Sequence, residues 1–120
     1  MAALGSKLRT LQGGLVMFWC PGCREGHSIR VEGQSAWGFN GNGDAPTFTP
    51  SVLVGGKQTV LDTEGKWTGE WVRGPDGEAL DRVCHTFVTD GFIQFLTDST
   101  HELAGQTVPL PDWPSLAEMA

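Results

Sequence analysis

Residues 83–96 read VCHTFVTDGFIQFL. Two runs rich in β-branched and aromatic residues flank Asp90-Gly91, a pair favoured in the two-residue type I′ turn because both central positions need positive φ. A hairpin built on that turn pairs Thr89 with Phe92, Val88 with Ile93, Thr86 with Phe95 and Cys84 with Thr97. Side chains alternate across a strand. One face therefore carries Cys84, Thr86, Val88, Ile93 and Phe95, and the other carries Val83, His85, Phe87, Phe92 and Leu96. Both faces are partly apolar, the pattern of a strand pair inside a layered β-domain.

Working outward, LVMFW at 15–19 runs into Cys20-Pro21-Gly22-Cys23, and residues 27–31 alternate as a second strand. Together they predict a hairpin with the CPGC turn at its tip. A short aromatic run follows at 36–40, then a GNGD turn at 41–44. TFTPSVLV at 47–54 reads as a strand in which Pro50 has no N–H to give a ladder, so an edge or a bulge is expected there. The turn-rich stretch 55–80, with Trp67 and Trp71, reads as an insertion with room for a loose hairpin. Residues 1–13 read as a polar, flexible lead-in, leaving 14–120 as a single β domain. The tail PLPDWP at 109–114 is extended by proline sterics. Ser115 and Glu118 make a capping-box pattern for at most one helical turn.

Composition agrees with short strands and many turns: 17 Gly and 7 Pro in 120 residues. A chain of this length buries only about two-thirds of the surface its unfolded form exposes, so a metal cross-link adds useful stability. The net charge is −6 and the eight basic residues are scattered. Without a basic stripe, neither nucleic acid nor an anionic membrane is an expected partner. No apolar run approaches the roughly 20 residues of a membrane-spanning helix. The 15–19 run, ending in Cys-Pro, does not read as a signal peptide, so a cytoplasmic location is expected.

Three cysteines leave one over from any disulfide framework. Two residues between Cys20 and Cys23 let both thiolates face one ion across a tight turn, with Gly22 permitting the backbone geometry. The same spacing serves redox dithiols, but those usually open a helix, and here a strand follows. Cys84 is the third cysteine, and the histidines are His27, His85 and His101. Taken singly, each is most simply a buried cysteine or a hydrogen-bonded histidine. Together they predict a zinc site of the Cys3His type. His101 is favoured as the fourth ligand, because residues 97, 99 and 101 share the face of Cys84 if the strand continues. His27 sits in the knuckle at the start of a strand that carries it away. His85, adjacent to Cys84, points to the opposite face. The fold expected is mostly β, zinc-ribbon-like, with an extended antiparallel sheet.

Other signals are weaker. The order of ligands is not that of the zinc deaminases, and there is no H-E-x-x-H. Asp98 and Glu102 flank the expected site and read as surface or supporting groups, with a general-base role as the alternative.

The stretches FWCPGCREGHSIRV, WGFNGNGDAPTFTPSVLV and CHTFVTDGFIQFLTDSTHELAGQTVPLPDWP resemble a family of small tailed-phage and prophage proteins of unknown function, often labelled "ammonia monooxygenase". The likeness spans Phe18 to Pro114 apart from 55–80, and makes Cys20, Cys23, His27, Cys84, His85 and His101 motif positions. Some members carry Cys where this chain has Ser99; in them Cys could complete the metal site, whereas here a histidine must. The oxygenase label would need membrane spans or a His-rich copper set, and the sequence has neither. The resemblance implies a phage-encoded zinc-binding protein without catalysis, acting through a protein partner in the host cytoplasm. The alternatives are a virion head or tail component and a zinc hydrolase using Asp98 or Glu102 as base.

Overall fold

The computed structural model describes residues 2–114; the capping-box pattern at 115–118 lies outside them. The domain is all-β. Its strands run β1 (Ala2–Leu4), β2 (Leu8–Leu11), β3 (Leu15–Cys20), β4 (Glu25–Arg30), β5 (Gly38–Phe39), β6 (Phe48–Lys57), β7 (Thr59–Leu61), β8 (Trp67–Trp71), β9 (Asp81–Thr89), β10 (Phe92–Phe95) and β11 (Thr107–Pro109). Among the described residues they make a four-stranded meander β1-β2-β3-β4, a five-stranded sheet β11-β10-β9-β6-β5 and the small β7-β8 hairpin, all antiparallel. No described helix is long and apolar enough to cross a membrane.

The core lies between the two larger sheets. Leu8, Val16, Phe18, Cys20 and Ile29 face it from one side, and Phe48, Val52, Cys84, Val88, Ile93 and Phe95 from the other. The rings of Phe18 and Phe48 stack across the seam at 6.2 Å. Period-two alternation produces this division: β3 and β9 bury every second residue.

The 83–96 hairpin has the expected register, Thr89 opposite Phe92, Val88 opposite Ile93 and Thr86 opposite Phe95. Asp90 and Gly91 hold φ of 51° and 81°. The pairing of Cys84 with Thr97 does not form, because β10 ends at Phe95 and the chain turns away. The flexible lead-in expected over residues 1–13 is instead the strand pair β1–β2. Leu8 there is fully buried, and Trp113 N–H ties the tail back to Ser6 O. Pro50 does mark a bulge: Phe48 faces Val88 and Val52 faces Thr86, so three residues of β6 oppose one of β9. The 55–80 stretch continues β6 to Lys57 and then forms the exposed β7–β8 hairpin.

Candidate catalytic and metal-binding sites

The CPGC turn closes the β3–β4 hairpin. Arg24 N–H donates to Cys20 O (2.8 Å), and Cys23 N–H donates to Cys20 Sγ (3.4 Å). Cys84 faces Cys20 from the inner side of β9, with 3.7 Å between the sulfurs. His101 arrives from the turn after β10, and one ligand atom each of Cys20, Cys23, Cys84 and His101 lies within 4.8 Å of the others. A tetrahedron with bonds of about 2.3 Å has an edge of about 3.8 Å, close to the sulfur spacing seen. All three cysteines are free thiols. His101 Nδ1 accepts from Leu103 N–H (3.3 Å), and its Nε2 is buried with no hydrogen-bond partner.

Electrostatics point the same way. Hydrogen bonds from Cys23 and Cys84 pull the Cys20 thiol down to about 4, while its contacts with Cys20 and Cys23 and its burial push Cys84 far above the ordinary thiol range. Three sulfurs in so small a volume need a cation to ionise together. These four residues could hold a metal ion. His27 is outside that set of four: it is buried edge-on against Phe18, with a ring nitrogen within 4.8 Å of the ligand atoms of Cys23 and Glu25. His101 reaches the cluster from a turn rather than along a continued strand, so strand parity is not what places it there.

The opposite face of β9 holds a second constellation. His85, paired with Leu53 of β6, points away from the core. Its Nε2 lies 3.0 Å from Ser51 Oγ and its Nδ1 lies 3.1 Å from Asp98 Oδ2. An ionised carboxylate only accepts hydrogen bonds, so with a neutral imidazole the proton sits on Nδ1 and the Nε2 lone pair receives the Ser51 hydroxyl. Ser51 is the last residue of the bulge. Val52 beside it is buried and Leu53 exposed, which puts Ser51 on the outer face with His85. The Trp37 indole N–H donates to Ser51 O at 3.2 Å and fixes the backbone there.

Asp98 is held against His85 by its neighbour. Ser99 is only 8% exposed. Its Oγ accepts from His85 N–H (3.1 Å) and donates to His85 O (3.3 Å). An open depression of about 470 Å³, lined by His85, Gln94, Leu96, Thr97 and Asp98, lies beside this relay. Glu102 takes no part, facing Arg24 at the surface.

The sequence reading named His85 and Asp98 without joining them and did not single out Ser51. No local motif announces that serine: Thr-Pro-Ser-Val lacks the glycines of a nucleophile elbow. The available signals were Pro50, which marks the bulge, and the parity that turned His85 away from the metal.

The model of the BubE family, described as "bacterial ubiquitination-like system serine protease", matches residues 5–96. That span includes Ser51 and His85 and stops two residues short of Asp98. No curated protein and no solved structure matches the chain. The expectation of a non-catalytic, phage-encoded zinc protein acting through protein–protein interaction, with its virion and zinc-hydrolase alternatives, is overturned by this match to a protease family. A Ser-His-Asp relay is assembled from three separate strands and turns, so ligand spacing along the chain carries no trace of it.

Proposed function

The chain belongs to the BubE family, and we propose that it is a serine protease whose nucleophile, base and acid are Ser51, His85 and Asp98. The observation that carries the reading is the unbroken relay Ser51 Oγ–His85 Nε2 and His85 Nδ1–Asp98 Oδ2, at 3.0 and 3.1 Å. In such a relay Ser51 Oγ attacks the scissile carbonyl while His85 Nε2 takes its proton. Asp98 holds the imidazole in the required tautomer and stabilises the imidazolium. His85 then returns the proton to the departing amine, leaving an acyl group on Ser51. A water, deprotonated by His85, hydrolyses that ester and restores the serine.

The Cys20, Cys23, Cys84 and His101 set belongs to a zinc ion. Three thiolates and one imidazole are a structural zinc set that leaves no position open for water. Zinc therefore supplies cross-linking, and hydrolysis is assigned to Ser51.

A fluorophosphonate probe tests the catalytic reading. It should label Ser51, located by peptide mapping; labelling should be absent in Ser51→Ala, and its rate should fall on the order of 10⁴-fold in His85→Ala. Labelling of another serine, or labelling indifferent to His85, would sink the assignment.

A further inference from the structure

Strand β6 has two sides for backbone hydrogen bonding. On one, Val52 to Lys57 pair with β9. On the other, β5 covers only Phe48 and Thr49, and Trp37 caps Ser51 O. From Val52 to Lys57 no described residue pairs with that second side. The open edge begins next to the serine of the relay and runs for about 20 Å at strand rise. Pro50 and the bulge lie before this edge and Lys57 at its far end, so Val52 to Gly56 carry neither charge nor proline. Leu53 is 64% exposed. A Cβ on Gly56 would meet nothing within 4 Å, and one on Gly55 would meet only Arg82 O at 4.0 Å. Both glycines leave the sheet face beside this edge open.

Resting on the protease reading, we propose that the substrate docks as an added antiparallel strand on the β6 edge over residues 52–56, its segment N-terminal to the cleaved bond running from Gly56 towards Ser51. Strand addition supplies affinity through main-chain hydrogen bonds, and alternate side chains supply preference. An antiparallel partner ends with its carbonyl at the start of the edge, beside Ser51. The substrate is thus an extended, unfolded polypeptide segment, because a helix or folded surface cannot complete the ladder. Across from Leu53 it presents an apolar side chain, which shares the outer sheet face with His85.

The test uses acetyl-tetraalanine carrying a C-terminal boronate, which traps a reactive serine as a tetrahedral adduct, together with its singly N-methylated analogues. Affinity is read by protection of Ser51 from the fluorophosphonate, and backbone amide exchange is followed in the adduct. The expected result is an alternating pattern: methylation at every second amide weakens binding by about tenfold, the worth of one lost hydrogen bond, with little effect between. Exchange should slow within residues 52–56. Capture at Ser51 with no alternation and no protection of β6 overturns the docking and leaves the triad standing. Absence of any Ser51-dependent capture overturns the triad and the docking with it.

Discussion

Cys84 and His85 are neighbours in sequence with opposite tasks, because adjacent strand residues face opposite sides of a sheet. Cys84 points inward, to within 3.7 Å of Cys20 Sγ across the seam. His85 points outward, between Ser51 and Asp98. Their substitutions should therefore separate stability from activity. Cys84→Ser removes a metal ligand from a buried cluster and should cost more than about 4 kcal/mol, roughly 15 °C in melting temperature for a chain of this size. His85→Ala should cost no more than about 1 kcal/mol yet abolish Ser51 labelling. Thermal melts and probe labelling of the two variants check this, and equal loss of stability would deny Cys84 its special role. At this scale the metal residues were legible because CxxC is a local spacing whose geometry follows from one tight turn. The relay was not, since Ser51 lies 34 residues from His85 and Asp98 lies 13 beyond it. The first distance closes only through a β6–β9 pairing that composition does not encode, and the second through the turn that follows the β9–β10 hairpin.

Among the elements, the β9–β10 hairpin was legible from Thr86 to Phe95, though not beyond, because Asp90-Gly91 fixes the turn and alternation fixes the faces. The strands β1, β2 and β11 were not legible. Each is only three or four residues long, too short for alternation to announce it, and the turn between β1 and β2 is held from far along the chain, Lys7 donating to Leu110 O (2.7 Å) and Asp112. The CPGC knuckle shows how one position ties two elements together. A Cβ on Gly22 would fall 2.4–2.7 Å from three atoms of the His101 ring. The glycine is there to make room for the ligand that the 101–105 turn delivers. Gly22→Ala should push His101 out and weaken zinc binding by at least about tenfold, the scale seen when groups supporting a ligand are lost. Competition against a chromophoric chelator measures this. Unchanged affinity would place His101 outside the metal set.

For the whole molecule, a metal ion held by the Cys-His cluster would staple the two sheets: Cys20 and Cys23 belong to the β3–β4 hairpin, Cys84 and His101 to the β9–β10 side. It would also close a ring that contains the catalytic pair. Backbone joins Cys84 to His85, a hydrogen bond joins His85 to Asp98, and Ser99 and Thr100 carry the chain from Asp98 to His101. Both bind strand β9 on the way, at His85 and Val83. A metal at the cluster would complete the circuit back to Cys84. Opening it frees the turn that presents Asp98, a carboxylate whose side chain is 57% exposed and has few other anchors. Stripping the metal with a strong chelator should therefore do two things. The melting temperature should fall by more than about 10 °C, as expected when ligand-binding energy is folding energy. At temperatures where the far-UV signal still reports an intact sheet, Ser51 labelling should also slow, on the order of the 10⁴-fold effect of losing the orienting aspartate at the limit. Restoring zinc should restore both. Full-rate labelling of stripped, folded protein would mean that the staple and the relay are independent, and that Ser99 alone suffices to hold Asp98 on His85.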